Sequence, residues 1–196
     1  MRIPLFPLNT VLFPGGHLDL RIFEQRYLRL VSDCLSREAP FGISLIDSGQ
    51  EVGGLAIPHR IGTLVRIVDW ERRPDGLLGI TVLGEQRFAI IDYEADPKQL
   101  LYAEVSLLAN VPSATLSEKF RPLADLLQRI LKQLANPDTP QPLHLDDAAW
   151  VGCRLAELLP LPLREKQRLL EIDNPMARLQ LLYHMLQPGT DTTPLG

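Results

Sequence analysis

Few residues in this sequence have the types and spacing that covalent chemistry requires. A nucleophile, an acid-base pair or a metal site needs clustered Cys, His, Asp, Glu or Ser side chains. Cys34 and Cys153 stand far apart and outside any C-x-x-C pattern, which fits a reducing compartment and offers neither a disulfide framework nor zinc spacing. His17, His59, His144 and His184 fall in different expected elements without the pairing that metal ligation needs. The dipeptide Gly-Lys never occurs, which removes the phosphate-cradling loop of ATPases, and G-x-S-x-G and H-E-x-x-H are absent too. Asp146-Asp147 is a carboxylate pair, yet at the head of a helical pattern it reads as a cap for free amides. Arg72-Arg73 has Glu71 and Asp75 beside it and reads as a solvated turn. Arg66, Arg87 and Trp70 in neighbouring strands could form a basic, aromatic face for RNA, although a half-buried sheet with charged outer positions gives the same letters. The expectation is a protein without catalytic residues, cofactor or metal.

The elements that would carry these residues change character midway. From Ile3 to about Ala109 the chain is rich in β-branched residues punctuated by Gly and Pro; from Ser117 to Gln187 it is Leu-rich with helical spacing. In the first half, Thr63–Trp70, Leu78–Val82 and Arg87–Ile91 read as strands around Pro74-Asp75-Gly76, whose residues suit a turn: Pro presets φ, Asp bonds its own backbone and Gly accepts positive φ. Gly84 between two apolar runs predicts a bulge or bend of the kind small barrels use at corners. Pro40–Ile46 and Leu101–Leu108 supply further strands. One helix interrupts them between Phe23 and Leu35, with Tyr27, Leu28, Val31 and Leu35 along its apolar stripe.

In the second half, Leu123, Leu127, Ile130 and Leu134 predict a helix over 117–134, with Pro122 kinking it after the first turn. A stiff connector over 136–142 follows, then helices from Asp146 or Asp147 to about Leu159, from Leu163 to Ile172, and from an Asn174 cap with Pro175 at the first position. The resulting division is a strand-rich lobe over 1–112, a helical lobe over 113–187 and a flexible tail over 188–196.

Composition bounds what such a molecule does. With 196 residues, 45% hydrophobic and 22% charged, the chain is in the ordinary globular range. A net charge of −4 argues against a dedicated nucleic-acid binder, whose affinity comes largely from Lys and Arg on phosphates. Pro4, Pro7, Asn9 and Pro14 interrupt the apolar start before a signal sequence could form, and no run approaches the roughly 20 apolar residues that span a bilayer. A cytoplasmic protein with no membrane partner is expected.

Several segments carry a resemblance. Ile3-Pro4-Leu5-Phe6-Pro7-Leu8, followed by Phe13-Pro14-Gly15, resembles the start of the Lon protease amino-terminal, substrate-binding domain family. Gly62–Ile67, Pro74-Asp75-Gly76 and Leu83-Gly84-Glu85-Gln86-Arg87-Phe88 are similar to the same domain's central hairpin, and Leu161–Glu171 with Arg178-Leu179 to its helical segment. Phe23-Glu24-Gln25-Arg26-Tyr27 resembles the Phe-Glu-x-Arg-Tyr signature of stand-alone members, with Gln25 where Pro is usual. The resemblance implies an α+β fold: a PUA-like β-barrel lobe with one helix, then a C-terminal helical bundle. It implies a stand-alone member lacking the ATPase and Ser-Lys protease modules, hence no catalysis, and a role in holding unfolded polypeptide or a partner protein, linked to ATP-dependent proteolysis. An RNA-binding PUA-like module is the alternative. Unfolded chains present apolar side chains and free backbone groups, so the binding surface should be apolar or aromatic, with a cleft between the lobes its default place. Phe23, Arg26, Tyr27 and Trp70 are the candidate contacts; each also has a structural reading, as staple, ion pair or sheet cover.

Overall fold

The computed structural model describes residues 1–51, 53–54, 56–134 and 143–187; the expected connector over 136–142 and tail over 188–196 lie outside the described residues. Seven strands and five α-helices form in the order β1 (Arg2–Leu8), β2 (His17–Ile22), α1 (Gln25–Arg37), β3 (Phe41–Ser48), β4 (Ile57–Pro58), β5 (Ile61–Arg72), β6 (Leu78–Ala95), β7 (Leu101–Leu107), α2 (Arg121–Leu134), α3 (Ala148–Leu158), α4 (Leu163–Glu171) and α5 (Pro175–Leu186), with a short 3-10 turn, Glu118–Phe120, ahead of α2.

The strands run in the order β1-β7-β6-β5-β3-β4, and a parallel pairing of β1 with β3 brings the ladder back to its start, so β1, β7, β6, β5 and β3 form a closed ring. β1 closes it in spite of two prolines. Met1 and Val105 exchange backbone hydrogen bonds, so residues 1, 3 and 5 turn toward β7 and residues 4, 6 and 8 away from it. Pairing with β7 stops at Leu5, and pairing with β3 begins there. Pro4 and Pro7 therefore each direct the missing N–H to the side where the ladder is absent.

β6, 18 residues long, is the spine: Leu78–Leu83 pairs with β2, Phe88–Ala95 with β7, and Leu78–Ala89 with β5. Asp75 accepts the Leu77 N–H, and Gly76, at φ 83°, donates to the Arg73 carbonyl, which makes the predicted Pro-Asp-Gly turn. The predicted bend lies where Val65 pairs with Gly84 and Leu64 with Gln86, leaving Glu85 as the extra residue.

Inside the ring, Ile3, Leu5, Leu64, Phe88, Ile90 and Val105 form one apolar cluster. A second joins Phe6, Leu12, Ile22, Phe41, Val65, Ile80 and Val82 to Tyr27, Leu30, Val31 and Cys34 of α1. The buried stripe of α1 is rotated from the predicted one: Leu30 and Cys34 take the inner positions, while Leu35 is 41% exposed.

The chain divides into two compact units, and the division differs from the expected break at 112. One unit holds Met1–Asn110 together with Pro160–Glu171; the other holds Val111–Leu159 and the residues from Ile172 onward. In the first unit α4 serves the strands: Gln167 donates to the Ile61 carbonyl (3.0 Å), and buried Arg87 donates to the Leu170 carbonyl (2.8 Å). A bundle of four consecutive helices over 113–187 is therefore not what forms. Apolar spacing marks α4 as amphipathic without saying which surface its apolar side covers.

In the second unit α3 packs on both α2 and α5 around Leu127, Val151, Leu155, Leu179 and Leu182. Asp147 caps α3 by accepting the Ala149 and Trp150 amides, and Asn174 caps α5 through Met176 and Ala177. Pro122 is the second residue of α2, after the 3-10 turn, and does not kink a longer helix, because the amides of a helix's first turn have no intrahelical acceptor to lose.

Candidate functional site

β2 is written His-Leu-Asp-Leu-Arg-Ile, strict alternation with Leu18, Leu20 and Ile22 on one face. Two short backbone contacts anchor its start: Gly15 donates to the Gly84 carbonyl (2.7 Å) and Gly84 to that of Gly16 (2.8 Å). A Cβ on Gly84 would lie 2.5 Å from the Phe13 carbonyl oxygen, so this approach requires glycine. Across the register, Leu20, Ile80 and Trp70 form one row on the same face of the sheet, with Leu18, Val82 and Ile67 beside it; Asp19, Thr81 and Asp69 sit on the opposite face.

Where β2 ends, the chain turns into α1 and leaves a cavity of about 290 Å³. Its apolar lining comes from Phe6, Leu8, Leu20, Ile22, Phe23 and Tyr27. Tyr27 is buried and stacks on Phe6 with ring centroids 3.7 Å apart, forming the floor. Phe23 is 49% exposed at the mouth. The polar lining is mostly acidic: Asp19, Glu24 and Glu51 against Arg21. Arg21 pairs with Asp75 (2.8 Å), Asp19 accepts from the Thr81 hydroxyl (2.6 Å), and Glu51 accepts the Asn9 amide (2.8 Å).

The four expected contact residues divide. Phe23 and Tyr27 meet at the cavity. Arg26 is turned inward with its side chain 9% exposed: it pairs with Glu24 (3.1 Å), donates to the Gly54 (2.8 Å) and Gln99 (3.3 Å) carbonyls and lies over the Tyr27 ring. It holds the wall of the site together. Trp70, 61% exposed, does not line the cavity; it shares the Leu20 row two strands away, roughly 10 Å across the sheet. Leu20, Asp19 and Glu51 were not expected at a site. The signal for β2 was present in its period-two alternation, whereas Glu51 carries no local pattern that could have marked it.

The expected RNA-facing arginines do not form a strip. Arg87 is 3% exposed, Arg66 pairs with Glu85 (3.0 Å), and Asp69, Glu71 and Asp75 are interleaved with Arg72 and Arg73. Asp146 pairs with Arg121 (2.7 Å) while Asp147 caps α3, so both carboxylates have structural work. Among the described residues no group of His, Cys, Asp and Glu is placed to hold a metal ion, and no helix is long and apolar enough to cross a membrane.

Burial pushes the Tyr27 phenol from its ordinary 10 up to about 12, with Arg26 opposing the rise, and pushes the Cys34 thiol from 9 to about 11. The fold holds both groups protonated, while the unfolded chain releases those protons at lower pH. Their stabilisation is complete below pH 9 and is lost as pH climbs through 11 for Cys34 and 12 for Tyr27. Urea midpoints at pH 8, 10 and 11.5 should therefore fall. The Tyr27→Phe variant should lose about 2 kcal/mol less than wild type over that range, at ~1.4 kcal/mol per pKa unit; an equal loss in both would contradict this role for the phenol.

Comparison with known proteins agrees with this architecture. Residues 2–188 match the family model described as the ATP-dependent protease La (LON) substrate-binding domain. A Lon protease of Cytophaga hutchinsonii is 25% identical over 195 residues, covering 94% of this chain and 24% of that protein; Lon protease 2 of Herpetosiphon aurantiacus is 24% identical over 203 residues, covering 100% and 25%. This chain thus spans about a quarter of the length of the curated relatives it matches. Among solved structures, a Lon N-terminal domain protein from Xanthomonas campestris superposes with a TM-score of 0.81 at 37% identity, covering 95% of this chain and 99% of that one. The N-terminal domain of a Mycobacterium avium complex Lon protease, at 17% identity and TM-score 0.67, shares the fold.

Proposed function

Since the chain belongs to the ATP-dependent protease La (LON) substrate-binding domain family, we propose that it captures unfolded polypeptide, or an unstructured segment of a partner protein, by non-covalent contact and breaks no bond itself. On this reading the closed ring of strands is a PUA-like barrel, and the cavity beside β2 is where the captured chain rests. The observation that carries the reading is the half-exposed Phe23 at the mouth of an apolar cavity floored by Tyr27 and Phe6. Large apolar groups left in water on a rigid support are what an unfolded chain's own side chains would cover. Trp70, exposed on the same face as Leu20, extends the contact, and Arg26 keeps the wall in shape. A cytoplasmic setting and a link to ATP-dependent proteolysis belong to the same proposal, the first supported by two buried cysteines outside any C-x-x-C pattern.

The test is fluorescence anisotropy with a labelled, reduced and carboxymethylated protein that cannot refold, without nucleotide. Micromolar binding is expected, with Phe23→Ala weakening it about tenfold, the scale of an interface anchor. An excess of single-stranded RNA should leave the signal unchanged. Absence of binding at high micromolar concentration would defeat the proposal, and displacement by RNA would favour the nucleic-acid reading.

A further inference from the structure

Resting on the polypeptide-binding reading, we infer that the segment captured is an extended, basic one: it adds a strand to the open edge of β2 and carries a Lys or Arg beside an apolar side chain. Among the described residues β2 pairs with β6 alone. The Gly84 N–H donating to the Gly16 carbonyl sets the phase of that ladder, so Leu18, Leu20 and Ile22 turn their backbone groups to β6. The N–H and C=O groups of His17, Asp19 and Arg21 therefore face outward, a ready template for another strand.

The position of the cavity says which side of β2 is used. Asp19–Ile22, four consecutive residues of β2, all line it, as do Phe23 and Glu24 just beyond the strand's end, while no residue of β6 does. Consecutive strand residues alternate between faces, so a space touching all of them borders the strand's edge, and the edge away from β6 is the open one.

Charge names the occupant. Arg21 and Arg26 are already paired, with Asp75 and Glu24. The carboxylates of Asp19 and Glu51 accept hydrogen bonds from neutral donors and have no cationic partner among the described residues. An acidic rim beside an apolar floor fits a cationic side chain flanked by an apolar one. A volume near 290 Å³, at the small end of the roughly 300–1,000 Å³ of ligand pockets, takes side chains and leaves the peptide backbone on the strand edge.

The experiment uses four labelled peptides of about eight residues against the whole chain: a Lys- and Leu-containing parent, the same peptide N-methylated at the odd or at the even amides, and a Lys→Glu version. The parent should bind, N-methylation in one of the two phases should cost at least tenfold, and Lys→Glu should abolish binding. Glu51→Gln, which keeps the acceptor for Asn9, should weaken the parent several-fold and flatten its salt dependence; Leu20→Asp should abolish binding if it folds, and the peptide modifications decide the matter if it does not. The inference falls if both N-methylated phases bind like the parent, or if neither charge change matters, while carboxymethylated protein still binds. Absence of binding by that protein removes the broader reading as well. Micromolar self-association through β2, seen by sedimentation and blocked by Leu20→Asp, would assign the edge to a second copy and overturn the inference.

Discussion

Gly62→Ala should lower the stability of the strand unit by more than about 3 kcal/mol, a fall of roughly 10 °C in thermal midpoint for a chain of this size. Gly62 sits where β5 passes between β3 and the Phe88 ring. A Cβ there would lie 2.5 Å from the Ile43 carbonyl oxygen and 2.6 Å from Phe88 Cζ. Neither neighbour yields easily: the first is backbone in a paired strand, and Phe88 is fully buried in the ring's core. Adding Phe88→Leu should recover only part of the loss, since it relieves the ring contact and leaves the carbonyl in place. Gly54→Ala is the control, because nothing lies within 4 Å of its Cβ. An unchanged midpoint in Gly62→Ala would mean that β3 and β5 do not approach each other this closely.

Arg178→Ala should destabilise the helical unit by about 3–5 kcal/mol, the usual cost of removing a large, buried, hydrogen-bonded cation's contacts and leaving a void. Arg178 is 1% exposed; it donates to the Ile172 carbonyl (2.5 Å) and to Cys153 Sγ (3.4 Å), and its stem packs on Gly152. Arg178→Met keeps most of the volume and loses the donors, so it should cost less, about 1–3 kcal/mol. The two tryptophans separate the outcomes, one lying in each unit. In a Trp70→Phe background, Trp150 fluorescence on α3 reports the helical unit alone and should shift for Arg178→Ala but not for Gly62→Ala. Equal shifts for both would show that the two units unfold together.

Local chemistry carried much of the fold into the sequence. Asn174-Pro175 and Asp147 announce their helices because capping needs only a few adjacent residues, and Pro74-Asp75-Gly76 announces its turn for the same reason. β1 and β2 were passed over. Pro4 and Pro7 read as interruptions until the ring places each beside an absent ladder, and half of β2 is polar because one of its faces meets water. The candidate site was half legible. Phe23 and Tyr27 stood out as aromatics, whereas Arg26 reads as a surface cation and is consumed by backbone carbonyls that lie distant in sequence. Glu51 reaches the site only through tertiary placement, and no local pattern marks α4 for the strands, because the Gln167 and Arg87 contacts that hold it there join residues distant in sequence.

The placement of α4 has a consequence for synthesis. On the ribosome every strand of the ring emerges well before the helix does, and Arg87 waits 83 positions for the Leu170 carbonyl. At roughly 5–20 residues per second that interval is on the order of ten seconds. Throughout it the nascent sheet carries an arginine destined for the interior with that acceptor still untranslated. The ring therefore completes its folding late, after the intervening helices have been made, and a ribosome-bound chain stalled before α4 should be the form most exposed to chaperones.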